Sequence, residues 1–233
     1  AIIDRTAEIV GGLKGFNGRD KIWTLPGARR LEFGACQHPG DEKGFQGRPH
    51  DLKAFDEISH FLESQFRFLC GWLRTTEAGQ RCRVLCTGNP PTDAEGEWVI
   101  RFWAPWLDEH HPNPALPGEL RWYAMIDGAE VEVETGEPFD HKGEIIRPKS
   151  RTFIPSSVED NPFLMGTGYK AMLQALPEPL RSQMLKGDFT KGMEDDPWQI
   201  IPTRWIKAAQ DRWTPTRPDT SMTAHGVDVA RGG

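Results

Sequence analysis

Two short apolar runs, Leu52–Phe55 (LKAF) and Arg83–Cys86 (RVLC), flank a stretch of helical periodicity, and this spacing most constrains the fold. Between them Ile58, Phe61, Leu62, Phe66, Leu69, Trp72 and Leu73 recur at three- and four-residue steps. That pattern predicts one apolar helix face, suited to covering a sheet. Strand, helix, strand is the repeating element of a parallel α/β sheet. The first run ends in Asp56-Glu57. In open α/β sheets, ligands bind in the crevice at the carboxyl ends of the strands. Successive strand residues point to opposite faces, so the two carboxylates are expected to take different tasks, one toward a metal shell and one toward a water. An ordinary solvated turn or helix start is the plain alternative for an Asp-Glu pair.

The second run stops at Thr87-Gly88-Asn89-Pro90-Pro91. Glycine admits unusual backbone angles there, and the prolines force the chain out of the sheet. Two polar strand ends on the same edge point to a site.

From Trp98 onward the chain changes character. Aromatic-rich runs (WVIRFWAPWL, LRWYAMI, AEVEVE, RTFIP) alternate with Gly, Pro and Asn clusters, which predicts a small antiparallel β insertion over about 97–155. Trp98, Trp103, Trp106 and Trp122 alternate with polar residues as packing aromatics do, with base stacking the alternative. Arg147, Lys149 and Arg151 have the spacing of one strand face, either solvated or touching DNA. Further on, 169–176 and 180–185 read as short helices broken by Pro177 and Pro179, and a third helix is expected near 203–212. DRWTPTRPDT, polar and carrying two prolines, is the candidate domain linker, with the linker proper placed at 214–222.

Composition narrows the function classes. The hydrophobic content of 37% suffices for a packed core, whereas a net charge of −6 argues against this segment being the main DNA grip. Cys36, Cys70, Cys82 and Cys86 lack paired spacing and read as reduced, structural thiols rather than zinc ligands. His110-His111 falls in a proline-rich polar loop. With no apolar run near 18 residues and no signal-like start, neither a membrane nor a secreted location is expected.

Taken in order, these segments resemble the large subunit of the DNA-packaging terminase of tailed bacteriophages and prophages. LKAFDE is similar to its Walker B segment. The resemblance implies that Asp56 holds the Mg²⁺ of bound ATP, directly or through water, and that Glu57 orients or deprotonates the attacking water. VLCTGNPP resembles the family's coupling motif, which implies that Thr87, Gly88 and Asn89 sense the γ-phosphate. NPFLMGTGYKAMLQALPEPLRSQMLKGDF, at 161–189, resembles the helical segment and Gly-Asp-aromatic signature near the end of the ATPase region. HGVDVARGG resembles the opening strand of an RNase H-like nuclease, with Asp228 as its first carboxylate for Mg²⁺ or Mn²⁺. Arg48, just before the acidic strand, is placed where an arginine finger from a neighbouring subunit would be allowed, with Arg29 and Arg30 as rivals.

The implied organisation is the C-terminal part of a P-loop ATPase domain at 1–160, a helical linker subdomain at 161–213, the linker, and the start of an RNase H-like domain at 223–233. Implied partners are double-stranded DNA, a small terminase subunit, a portal protein and further copies in a homo-oligomeric ring. The implied location is the cytoplasm of a bacterial host, transiently at the procapsid portal. The sequence departs from the family in two respects. It contains no GxxxxGK[ST] phosphate loop, since Gly11-Gly12-Leu13-Lys14-Gly15 has the wrong spacing and reads as a surface turn, and Asp228 is its lone nuclease carboxylate. The expectation is therefore an internal piece of a longer protein, catalytically inert by itself, with an unpaired sheet edge and an uncovered apolar face. The alternatives are another P-loop DNA motor of helicase type and a non-catalytic assembly or nucleotide-sensing module.

Overall fold

The computed structural model describes residues 2–108, 110–189, 200–201 and 203–213. In chain order its elements are α1 (Ile2–Val10), β1 (Phe16–Asn17), β2 (Ile22–Leu25), β3 (Arg29–Glu32), β4 (Leu52–Phe55), α2 (Glu63–Cys70), β5 (Arg83–Cys86), α3 (Trp98–Phe102) and α4 (Ala104–Leu107). There follow β6 (Arg121–Ile126), β7 (Ala129–Val133), β8 (Phe139–His141), β9 (Glu144–Ile146), β10 (Lys149–Arg151), α5 (Pro162–Met165), α6 (Tyr169–Gln174), α7 (Leu180–Lys186) and α8 (Thr203–Asp211). The chain divides into two compact units, Ala1–Met193 and Glu194–Gly233, and α8 belongs to the second. The architecture is mixed α/β with small sheets, one parallel and the others antiparallel.

The parallel pair forms where the sequence places it. β4 and β5 align with Leu52 opposite Arg83 and Phe55 opposite Cys86. The expected crossover helix is present but shorter, and it comes in two pieces. A 3-10 turn, Ile58–His60, precedes α2, and Phe61 and Leu62 between them are extended. Leu62 has no polar side chain to cap α2. Instead Gln65, 2% exposed, reaches back: its Oε1 accepts from the Leu62 N–H at 3.0 Å and its Nε2 donates to the His38 carbonyl at 2.9 Å. A buried amide is tolerable when both its ends are satisfied.

The core gathers under one face of this pair. Phe55, Ile58, Phe66, Leu69, Trp98, Val99, Trp103 and Leu107 form a single buried cluster. Phe66 is its hub, with ring centroids 5.1 Å from Phe55, 5.0 Å from Trp98 and 5.3 Å from Phe102. The indole N–H groups are paired as well: Trp98 donates to the Phe61 carbonyl at 2.7 Å and Trp103 to the Thr152 carbonyl at 3.1 Å. In a parallel pair, opposed residues share a face. Leu52, Ala54 and Leu85 therefore lie together on the side away from α2, and all three are exposed, Leu52 to 55% and Leu85 to 56%.

The expectation of strand from residue 98 onward needs correction. Residues 98–107 open the expected β insertion, yet they fold as α3 and α4. Their core-facing positions, Trp98, Val99, Phe102, Trp103, Trp106 and Leu107, repeat at helical steps, and that period wins over the apparent alternation of aromatic and polar residues. Asp93 prepares the entry, its Oδ1 accepting from the Gly96 N–H at 3.1 Å in the turn Ala94–Glu97, and Pro105 sits where a helix start tolerates proline.

The antiparallel part begins only at β6. It comprises the sheet β10-β6-β7 and the hairpin β8-β9. Asp127-Gly128 and Lys142-Gly143 make the tight turns, all four residues having positive φ as type I′ hairpins require. A further antiparallel sheet, β1-β2-β3, encloses the fully buried Trp23.

The three-residue basic stripe does not form. Arg147 and Lys149 are exposed, but the Arg151 guanidinium lies between the rings of Phe102, 3.4 Å from its centroid, and Tyr123, at 4.1 Å, and pairs with Glu130 at 2.8 Å. Helices α6 and α7 appear where the sequence indicates. The expected linker at 214–222 and nuclease strand at 223–233 lie outside the described residues.

Because Phe66 touches three aromatic partners at the centre of the cluster, Phe66→Ala is expected to cost about 3–5 kcal/mol of folding free energy, read as a lowered urea midpoint. A loss below about 1 kcal/mol would mean that the cluster is not the principal core.

Candidate functional site at the strand ends

Parallel register sets this site. With Phe55 opposite Cys86, the next residues, Asp56 and Thr87, emerge side by side at the carboxyl ends of β4 and β5. The Thr87 N–H donates to the Phe55 carbonyl at 2.9 Å, and the Ile58 N–H donates to the Thr87 carbonyl at 2.9 Å. Between the side chains, Thr87 Oγ1 donates to Asp56 Oδ1 at 2.9 Å. One carboxylate oxygen is thereby oriented by a hydroxyl, and the carboxylate as a whole faces solvent.

Glu57 is placed differently from expectation. The strand ends at Phe55, and Glu57 adopts a left-handed conformation, φ 53 and ψ 58, heading the turn Ile58–His60. What separates the two acids is thus a backbone kink, not the pleat of a strand. A non-glycine residue in this region carries a cost of about 1–2 kcal/mol, and such strain persists only where the surroundings over-determine it. Here they do: besides the Ile58 bond, the His60 N–H donates to the Glu57 carbonyl at 2.9 Å.

Gly88 lies directly against this kink. A Cβ at 88 would stand 3.0 Å from the Ile58 nitrogen and 3.4 Å from the Glu57 Cα. Asn89 is exposed, whereas Pro90 and Pro91 are buried. The Pro91 carbonyl accepts from Nε2 of Gln183 on α7 at 3.4 Å, and Gly96 fits against Pro91 and the Ser59 carbonyl with no room for a side chain. The structure therefore brings Asp56, Glu57, Thr87 and Gly88 together, with Asn89 next in line.

Arg48 stands apart from them. It precedes β4, at the opposite end of the strand from Asp56, and its Nη1 pairs with Glu32 Oε1 at 2.5 Å while the guanidinium lies 5.6 Å from the Phe45 ring centroid. His50 Nε2 approaches the other Glu32 oxygen at 3.5 Å. Burial raises the Glu32 carboxyl, but Arg48 and His50 outweigh it and hold the group below its ordinary range. Arg29 and Arg30 are exposed on β3. Asp228 lies outside the described residues.

Among the described residues, no three His, Cys, Asp or Glu side chains converge into a metal-binding group. Asp56 with Thr87 still fits Mg²⁺ in one specific sense. This ion commonly takes one or two carboxylates from a protein and the rest of its shell from phosphates and water, so a single exposed carboxylate beside a hydroxyl suits a shared site but not an all-protein cage. Burial pushes the Cys70 thiol up to about 11 and the Cys86 thiol up to about 12, which makes both poor nucleophiles. A separate cleft of about 190 Å³, lined by residues that include Trp106, Phe153, Asp188 and Phe189, contains none of the strand-end residues. No helix among the described residues is long and apolar enough to cross a membrane.

Gln183 escaped the sequence reading. It is a buried polar residue in an ordinary amphipathic helix, 2% exposed, and nothing in its local pattern marks it as a contact of the Thr87 turn. No protein-family model matches the chain, and no match was found to a curated protein or to a solved structure.

The thiol environments generate a test. Around pH 8.5, Cys70 and Cys86 in the folded protein should resist iodoacetamide, and both should label in urea, as read by mass spectrometry. The unfolded chain loses these protons from about pH 9, while the folded chain keeps them until about 11 and 12, so stability should fall as pH rises above about 9. Rapid labelling of either thiol in the native state would contradict the burial described.

Proposed function

We propose that this chain is part of the large subunit of a viral DNA-packaging terminase and that its strand ends belong to the ATP-hydrolysing site. The observation that carries the reading is the parallel pair β4-β5, which presents Asp56, a kinked Glu57 and Thr87 at one edge with Asp56 and Thr87 joined at 2.9 Å. This supports a strand-end nucleotide site, which can use one carboxylate for a metal shell, a second to orient water, and a polar turn beside them.

In the proposed enzyme, Glu57 orients the attacking water and takes its proton. Mg²⁺, when bound, would be held by Asp56 with the Thr87 hydroxyl alongside, and it supplies neutralisation of the phosphate charge. Thr87 keeps one Asp56 oxygen oriented by donating to it, which leaves the other free. Thr87, Gly88 and Asn89 respond to the γ-phosphate; Thr87 and Gly88 contact residues 57–58, and the Pro91 carbonyl, two residues beyond Asn89, accepts from Gln183 and joins that response to α7. The phosphates themselves are held by a loop that these 233 residues do not contain. The finer fold assignment follows the same reading: a P-loop ATPase sheet, of which β4 and β5 are neighbouring strands, and an RNase H-like nuclease opening with Asp228 and using Mg²⁺ or Mn²⁺. Arg48 is the proposed finger toward a neighbouring subunit, a role that needs it to leave Glu32. Double-stranded DNA, a small terminase subunit, a portal protein and a homo-oligomeric ring are the proposed partners, in the cytoplasm of an infected bacterium.

Glu57→Gln in the intact gene product should lower ATP turnover by about 10²–10⁴-fold, the usual contribution of a general base, while ATP affinity stays within a few-fold. Steady-state hydrolysis and equilibrium binding measure the two quantities separately. Unchanged turnover would sink the role of Glu57, and an intact product that binds no ATP would favour the assembly-module alternative.

A further inference from the structure

We infer that Gly88 is a positioning residue whose missing side chain keeps Glu57 in its left-handed conformation. The mechanistic consequence rests on the proposed role of Glu57, whereas the conformational claim stands on geometry alone.

Five non-glycine residues among those described have positive φ: Lys21, Ala28, Glu57, Asp127 and Lys142. Four of them sit in turns between paired antiparallel strands, where the connection itself demands the conformation: Lys21 between β1 and β2, Ala28 between β2 and β3, Asp127 between β6 and β7, and Lys142 between β8 and β9. Glu57 has no such reason. It follows a parallel strand, where a chain leaving the sheet is free to turn in many ways. Its conformation is imposed from across the strand pair, by the Thr87 carbonyl that accepts from the Ile58 N–H at 2.9 Å and by the close approach of Gly88.

Gly88 is not left-handed itself, so its own backbone does not call for glycine. The contact does. A Cβ would meet the Ile58 nitrogen at 3.0 Å, close enough that this backbone atom must give by a few tenths of an ångström, while the Glu57 Cα and Ile58 Cγ2 would stand at 3.4 Å, the edge of ordinary contact. The atoms that must give belong to the peptide linking Glu57 to Ile58, whose orientation defines the kink. A side chain at 88 therefore acts on where the Glu57 carboxylate stands. Thr87, one residue earlier, ties the same turn to Asp56 at 2.9 Å. The two carboxylates are thus set by adjacent residues of one turn, Asp56 by a hydroxyl and Glu57 by the absence of a side chain.

The test is Gly88→Ala, with Glu57→Gly as a partner substitution. By NMR, the short distance between the Glu57 amide proton and its own Hα, a mark of positive φ, should lengthen in Gly88→Ala. The melting temperature should drop, and it should drop more when Glu57→Gly is already present, because leaving positive φ relieves strain in glutamate and none in glycine. Retention of positive φ at Glu57, or equal drops in both backgrounds, overturns the inference. If Gly88→Ala does not fold, Glu57→Gly alone is read instead: it should raise the melting temperature by relieving the left-handed strain, and a fall overturns the inference. In the intact gene product, Gly88→Ala should lower kcat at least tenfold with KM for ATP within about twofold, separating positioning from nucleotide binding. An unchanged kcat with a changed φ removes the positioning role. Absence of ATP turnover in the unsubstituted protein would end the proposed function but leave the φ result to stand or fall separately.

Discussion

The pairing of β4 with β5 is the constraint on which the rest depends. Parallel neighbours cannot be joined by a tight turn, so the chain between them must travel, and here it does so through a 3-10 turn, α2 and a loop. That path covers one face of the pair and supplies Ile58, Phe66 and Leu69 to the core beneath Phe55. It also fixes the register, and register is what aligns Asp56 with Thr87. A slip by one residue would turn Phe55 away from the core and separate the two polar strand ends. Core and site are therefore specified by the same few backbone hydrogen bonds.

The remaining elements are fastened to this centre by polar groups whose burial is compensated. Arg151 shows how. Taking a guanidinium out of water is costly, and burial lowers its hold on its proton, but Glu130 at 2.8 Å, the Phe102 carbonyl and two aromatic faces replace the lost hydration. The result joins β10, β6 and β7 to the end of α3. Arg67 on α2, which lies 5.6 Å from the Phe102 ring centroid and 4.0 Å from Glu130, extends the same cluster back to the crossover helix. A lysine at 151 would offer a point charge without the flat surface that both rings stack on.

Much of this was legible in the sequence, for identifiable reasons. LKAF, RVLC and the TGNPP turn could be read because strand length, apolar content and glycine-proline punctuation agree at each of them. Residues 98–107 could not, because tryptophan and phenylalanine suit both strands and helices, and the helical step emerges only once the core side is known. The sheet β1-β2-β3 was overlooked although IWTL, PGA and RRLE carry a short strand, a turn and a second strand; its runs are too brief and too charged to stand out. The acids themselves were visible, but the kink at Glu57 was not. A left-handed glutamate has no sequence signature, since its cause, Gly88, lies 31 positions away and acts through space.

The exposed face of the pair sharpens the contrast between what this chain specifies and what it leaves open. Leu52, Ala54 and Leu85 face solvent although their residue types belong under cover, yet the strand ends beside them are tied to each other by a side-chain bond and to residues of the other face by backbone contacts. Order at the site therefore does not require that the open face be covered. Asp56 is held by Thr87, Glu57 by the turn Ile58–His60 and by Gly88, and the turn 87–91 by Gly96 and Gln183. The ties on Glu57 and on the turn 87–91 come from the covered side, and the Asp56–Thr87 bond joins the two strand ends to each other. A strand only four residues long can carry a defined acidic pair under these conditions, because the pair's geometry is set by what lies behind the strand and not by the extent of the sheet.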